Sequence, residues 1–167
     1  MARKQPASPN AAFLKAVRDG DFESLPYHVE DKGASLDARD ENGRSAMHIA
    51  AERGFTRCIE KLIELGANID VQDRNLETPL HIAARQTHGV DTSSFLILHG
   101  ADVSIKNRFG DTPFTLVKQE NRLKEVLRAA WLSALDKNPL DMNIVTEQDI
   151  VIAKPVAFKR RGAPPAP

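Results

Sequence analysis

Three stretches of the sequence align with one another at a nearly constant spacing. They begin at Asp40, Asp73 and Asn107, so the first copy is 33 residues long and the second 34, and a degenerate copy over residues 13–39 precedes them. Tandem repeats of this length are typical of solenoid proteins, in which each unit packs on its neighbours. The repeat therefore predicts a row of stacked units over about three quarters of the chain.

Each unit opens with the signals of a helix start. Thr78 and Thr112 are favourable N-cap residues, and the proline after each one suits the first helical position, where a missing N–H costs nothing. Ser45 is the equivalent cap of the preceding unit, where alanine follows instead. These signals predict a short first helix in each unit, and small pairs such as Ala50 and Ala51 would let neighbouring helices approach closely.

A second helix is predicted later in each unit. Residues 56–65 carry Ile59, Leu62 and Ile63 at the spacing of one apolar helix face, and Gly66 stands where such a helix would end. Two helices of this size cannot bury a core alone. The units must therefore stack to shield their apolar faces.

The end units depart from the pattern, as units with one neighbour should. In the first unit, Pro26 is expected to delay the second helix. In the last, residues 121–135 predict a longer capping helix, with Trp131 covering the exposed edge of the stack. The apolar face of that helix would consist of Leu123, Val126, Leu127, Ala130, Trp131 and Ala134.

The motifs within the units resemble those of the ankyrin repeat family. They are Thr-Pro-Leu-His at residues 78–81, Gly-Ala-Asn at 66–68 and Gly-Ala-Asp at 100–102. The resemblance implies an all-α solenoid of stacked helix-turn-helix units with short β-hairpin fingers. It also implies that His48 and His81 form hydrogen bonds between adjacent units rather than bind metal, whereas Thr115 replaces this histidine in the last unit.

Two positions depart from the family pattern. Leu76 replaces the turn glycine that Gly43 and Gly110 supply in the other fingers, and a branched side chain is poorly suited to a positive φ, so the sequence leaves open whether that finger keeps its hairpin turn or adopts another. The segment 87–93 carries one extra residue, which predicts a bulged loop between the two helices of that unit.

These observations predict three segments. A flexible N-terminus would occupy residues 1–9, the repeat domain 10–135, and a tail, disordered or folded back, 136–167. The units of the repeat domain are expected at 10–39, 40–72, 73–106 and 107–135.

Composition and motifs argue against catalysis and against a nucleic-acid partner. The 23 basic and 23 acidic residues balance, and no phosphate-binding loop, metal cluster or catalytic constellation stands at a recognisable spacing. The loop at 37–43 fails as a calcium site because Ala38 and Ile49 would fall at ligand positions. We therefore predict no enzyme activity, cofactor, metal or small-molecule substrate.

The same survey gives expectations about location and assembly. No secretory leader or membrane-spanning run is recognisable, and Cys58, the only cysteine, is expected to be a packed and inert thiol in a reducing compartment. His28 and His88 are expected to face solvent, and His99 to be structural or neutral. The cytoplasm is the expected location, with delivery to a host cell or the nucleus as alternatives, and a monomer the expected state.

The resemblance implies a recognition scaffold that binds a protein partner on a concave surface of hairpin tips and inner helices. Seven basic and five acidic residues map to that surface, a mixture that suits a polar protein partner. Its positions are Arg39, Glu41, Asn42, Arg44, Glu52, Arg53, Gln72, Arg74, Asn75, Glu77, Arg85, Gln86, Lys106, Arg108, Phe109, Asp111, Gln119 and Glu120.

Several alternatives stay open at this point. Phe109 would either anchor a partner or pack on the tail or a neighbouring finger. Arg74, Arg85 and Arg108 would either contact a partner or pair with acidic residues of the chain itself. The alternative function makes the chain a regulator or a secreted bacterial-type effector, whose tail at 136–167 inhibits or addresses a target.

Overall fold

The repeat units form pairs of short helices. A computed structural model describes residues 8–86, 89–117 and 122–137, and in the last helix it describes the side chains of 124–130, 132 and 133. The helices are α1 (Pro9–Asp19), α2 (Ala46–Arg53), α3 (Thr56–Glu64), α4 (Pro79–Arg85), α5 (Val90–Leu98) and α6 (Arg122–Lys137), with a π-helical turn at Tyr27–Asp31. The all-α prediction is confirmed.

The chain divides into two units between Ser133 and Ala134. Helices α1 to α5 and the part of α6 up to Ser133 lie in the first unit. Of the second, the structure describes only residues 134–137, which are the end of α6. The predicted tail therefore lies almost entirely outside the described residues, and its boundary stays a prediction.

The first helices of successive units stack on one another. α2 packs against both α1 and α4, while α3 packs against α2, and α5 against α4. Alanine pairs at 50–51 and 83–84 are buried at these contacts, so the helices can approach closely. Larger apolar side chains, including Phe13, Ile49 and Leu80, fill the space between the layers.

Helix boundaries follow the predicted signals in the two middle units. Ser45 and Thr78 each cap a helix together with the histidine three residues later. Ile59 and Leu62 are buried on the inner face of α3, which ends just before Gly66. In the first unit, the second element is reduced to the π-helical turn that follows Pro26.

The last unit differs from the prediction at Thr112. Within the described residues, 113–116 form turns rather than a regular first helix. The Thr115 hydroxyl donates to the Thr112 carbonyl at 2.9 Å, the same oxygen that the Leu116 N–H reaches at 3.3 Å. Such a side chain competes with the backbone for the acceptor that a helix needs.

The capping helix is present as α6. Among its described side chains, Leu127 is buried and Ala130 is partly buried against the core. The predicted contributions of Leu123, Trp131 and Ala134 fall on side chains outside the described ones. None of the helices in the described ranges has the length and apolarity that crossing a bilayer requires.

Candidate functional site

Three hairpin fingers project from the stack, and each is built in the same way. We define finger 1 as residues 40–44, finger 2 as 73–77 and finger 3 as 107–111. The first residue of each finger, Asp40, Asp73 or Asn107, accepts hydrogen bonds through one side-chain oxygen from the backbone N–H groups two and four residues later, at 2.8 to 3.0 Å. Regular strand pairing within the described chain is limited to one antiparallel bridge between Arg39 and Ser45.

The turn residue of every finger has a positive φ. The angle is 77° at Gly43, 59° at Leu76 and 84° at Gly110, so finger 2 keeps the positive-φ turn of the other fingers although leucine replaces the glycine. Two kinds of hydrogen bond hold the leucine in this conformation. The Asp73 side chain accepts the N–H groups of Asn75 and Glu77, and the Asp73 carbonyl accepts the N–H of Leu76 at 3.1 Å. For an L-residue with a side chain, this costs roughly 1–2 kcal/mol.

Two buried histidines tie the fingers to the helices of the preceding unit. His48 Nε2 lies 2.8 Å from the Glu77 carbonyl oxygen, and His81 Nε2 lies 3.1 Å from that of Asp111. Each Nδ1 accepts a backbone N–H at 3.2 Å, from Ser45 or Thr78, so Nε2 carries the proton and donates. The predicted role between units is confirmed, and burial lowers the pKa of both imidazoles.

Further hydrogen bonds join neighbouring fingers directly. The Arg39 guanidinium donates to the Gly43 carbonyl at 2.8 Å and to the Gln72 carbonyl at 2.7 Å. The Arg108 N–H donates to the Asn75 carbonyl at 2.8 Å, which links fingers 2 and 3. The three fingers are therefore fixed relative to one another before any partner arrives.

Ion pairs connect the fingers to the ends of the inner helices. Arg44 contacts Asp40 at 2.9 Å and Glu52 at 2.8 Å, the latter on α2. Burial alone would raise the pKa of Asp40, but the hydrogen bonds from Arg44 hold that pKa below its usual value. Arg85 on α4 contacts both Glu77 oxygens, at 2.5 and 2.9 Å.

These pairs bring fingers and helix ends onto one surface, which we call the finger face. It consists of the three fingers and the exposed C-terminal ends of α2 and α4. An open groove of about 330 Å³ lies beside the helix ends. Its lining residues are Ala51, Glu52, Arg53, Gly54, Gln86, Gly89 and Thr92.

The predicted surface residues fall into three groups. Contacts within the chain hold four of them, Arg39, Arg44, Glu52 and Arg85. Glu77 is only 3% exposed, so the expectation that it lies on the surface is wrong. Gln72 bonds the Leu76 carbonyl, Asp111 is half-buried, and Gln119 and Glu120 lie outside the described residues. The exposed positions without an ion pair in the described chain are Glu41, Asn42, Arg53, Arg74, Asn75, Gln86, Lys106, Arg108 and Phe109.

Leu76 is a surface residue that sequence reasoning missed. It is 46% exposed, and Phe109 on the next finger is 74% exposed. The signal was the missing turn glycine, which sequence reasoning interpreted only as a disturbance of the turn. An apolar side chain at a turn position also projects from the tip.

The remaining titratable candidates lie elsewhere. Cys58 is 1% exposed, which confirms that the thiol is packed, and burial, with a smaller effect of the Asp21 charge, raises its pKa to about 11. That the thiol is inert stays a prediction. His28 is only half exposed, and its Nδ1 is buried without a hydrogen-bond partner in the described chain, so the solvent-facing expectation is wrong for this atom. His99 bonds the Phe95 carbonyl at 2.8 Å, and His88 lies outside the described residues.

Comparison with known proteins gives the same architecture. The family model described as "Ankyrin repeats (3 copies)" matches residues 13–107. "Ankyrin repeat domain-containing protein 46" of Rattus norvegicus and of Mus musculus is 41% identical over 119 residues, 71% of this chain and 50% of the relative. The Danio rerio protein of that name is 44% identical over 116 residues, 70% of this chain and 49% of the relative, so the chain spans about half the length of these relatives. The chain therefore belongs to the ankyrin repeat family.

Proposed function

We propose that this chain is a non-catalytic module that binds a protein partner through the finger face. Ankyrin repeats generally serve as protein–protein interaction modules. The observation that carries the proposal is the rigid linkage of the three fingers, whose exposed side chains are left without ion pairs in the described chain.

Rigidity favours binding because association costs entropy wherever loops must be ordered. In this protein the fingers are already ordered when the chain folds, so binding does not have to order them. They are held by the bonds of His48 and His81 to the next finger, by the Arg39 bond to the Gln72 carbonyl, and by the Arg108 N–H bond to the Asn75 carbonyl. A surface that keeps its shape can bind through a few well-placed contacts.

The state of the histidines supports a non-catalytic function. Both ring nitrogens of His48 and His81 are engaged in hydrogen bonds, and neither ring is exposed. A general acid or base must reach a proton on a substrate. These imidazoles act instead as connections between repeat units.

Site-specific photo-crosslinking tests the proposal. A photoreactive phenylalanine analogue is placed at Asn42, Glu52 or Gln86 on the finger face, and at Glu60 or Asp91 on the exposed sides of α3 and α5 as controls. We expect protein adducts from the finger-face positions and few from the controls. Adducts formed mainly at the control positions would show that the face is wrongly assigned.

A further inference from the structure

Fingers 2 and 3 each carry an exposed large apolar side chain. Leu76 and Phe109 are 46% and 74% exposed, and they stand on fingers that the Arg108 N–H to Asn75 carbonyl bond holds together. Finger 1 has Asn42 and Gly43 at the equivalent positions. The apolar tip is therefore confined to two of the three fingers.

The same two fingers carry two arginines, Arg74 and Arg108. The aliphatic stem of Arg74 lies across the turn of finger 1, because a Cβ placed on Gly43 would be 2.6 Å from Arg74 Cγ. Arg108 stands next to Phe109, and both arginines are exposed. In the described chain neither forms an ion pair, whereas Arg44 and Arg85 are both paired with carboxylates.

The positive φ of Leu76 is a further reason to expect a binding role at these fingers. Glycine would fill this turn position without strain, as it does in the other two fingers. Leucine costs roughly 1–2 kcal/mol there and places a half-exposed apolar side chain in water. Strain retained at an exposed position is a reason to look for a binding role.

We infer that Leu76, Phe109, Arg74 and Arg108, the fingertip patch, bind an acidic protein segment that carries aliphatic or aromatic side chains. This inference rests on the proposed function and names the class of partner. Each guanidinium can form two parallel hydrogen bonds with a carboxylate. Leu76 and Phe109 supply the apolar anchors around which such contacts are shielded from water.

The charges elsewhere on the fingers favour the same partner. The carboxylates of Asp40, Asp73 and Glu77 are bound to backbone N–H groups or to arginine, so they do not neutralise the patch. On finger 3, Asp111 is half-buried and accepts a hydrogen bond from the Thr115 hydroxyl at 3.3 Å. The exposed acid Glu41 stands on finger 1. An acidic segment would therefore lie across the finger tips, with Leu76, Phe109 and Arg108 on fingers 2 and 3 and the Arg74 guanidinium reaching toward finger 1.

Selection from a library of random peptides displayed on phage tests this inference with the full 167-residue chain. We expect enrichment of peptides that combine Asp or Glu with Leu, Ile, Phe or Tyr. Synthetic fluorescent copies of the enriched peptides should bind at least about tenfold more weakly to Arg74→Glu/Arg108→Glu and to Leu76→Gly/Phe109→Ala. Their binding should also weaken with added salt, because exposed charge pairs are screened.

A matched control reverses two charges on the opposite helices, Glu60→Arg with Asp91→Arg, and should bind the peptides as the unchanged protein does. Enrichment of basic or uncharged peptides, affinities insensitive to the fingertip changes, or no enrichment would overturn the inference. If the crosslinks at Glu52 and Gln86 persist in any of these cases, the finger face remains the binding surface, and only the partner class is wrong.

Discussion

The histidine bridges predict a large and specific loss of stability in His48→Ala. The imidazole is fully buried, accepts the Ser45 N–H at 3.2 Å, lies 2.9 Å from the Ser45 hydroxyl and donates to the Glu77 carbonyl at 2.8 Å. Removing the ring deletes these bonds, leaves the buried Ser45 N–H without its acceptor and opens a cavity. At about 1 kcal/mol for each bond, with a further contribution from the cavity, the free energy of unfolding should fall by about 3–4 kcal/mol.

Urea unfolding followed by far-ultraviolet circular dichroism measures this loss. His99→Ala is the matched control, because that imidazole is exposed, bonds the Phe95 carbonyl at 2.8 Å and stacks on the Phe95 ring at 4.1 Å. The control should lose less than about 1 kcal/mol. A loss in His48→Ala no larger than that of the control would refute the argument that this side chain connects adjacent units.

Three further predictions follow from the same structure. Burial lowers the folded-state pKa of His48 and His81 from 6.5, so in acid the unfolded chain binds more protons than the folded one. The urea midpoint of unfolding should therefore decrease as the pH is lowered from about 7 to about 5. The double variant His48→Gln/His81→Gln should lose most of this pH dependence. In Leu76→Gly the free energy of unfolding should stay unchanged or rise by up to about 1 kcal/mol, because the roughly 1–2 kcal/mol of relieved strain exceeds the entropy cost of glycine. A decrease of more than about 1 kcal/mol would contradict this. Cys58, with a thiol pKa of about 11 and 1% exposure, should resist a thiol reagent in the native protein and react rapidly in urea, and fast native labelling would show that the site is open.

The repeat architecture could be predicted from the sequence because its signals are local. The N-cap at Thr78, the apolar spacing of Ile59 and Leu62 and the glycine at 66 each specify one boundary or one face, and the structure reproduces them. Their recurrence at a fixed period then determines the stacking. The histidine bridges followed from the resemblance to the ankyrin repeat family rather than from the residues alone.

The conformational preference of a single residue did not decide the structure where hydrogen bonds from neighbouring residues opposed it. At Leu76, the Asp73 side chain and the closing backbone bond hold a turn that leucine disfavours. At Thr112, the favourable cap and proline are followed by turns, since the Thr115 hydroxyl contacts the same carbonyl. Both outcomes depend on how several weak hydrogen bonds add up, which a residue pattern does not specify.

The position of the candidate site on the fingers could be predicted from the sequence, but which of its charged side chains lack an ion pair within the chain could not. Arg44, Arg74 and Arg85 all belong to the predicted surface, yet of these three only Arg74 lacks an ion pair in the described chain. Glu77 is buried by its pair with Arg85. Such distinctions require side-chain geometry, because each arginine can reach several carboxylates.

The central claim is that the finger face, rather than the opposite helices, makes contact with a protein partner. Quantitative mass spectrometry of proteins captured from native cell extract tests it most directly, with the unchanged chain, Arg74→Glu/Arg108→Glu/Phe109→Ala and the control Glu60→Arg/Asp91→Arg as baits. Unfolding midpoints establish beforehand that all three baits are folded. We predict that specific captured proteins disappear with the finger-face variant and persist with the control, whereas identical captured sets from all three baits would contradict the account.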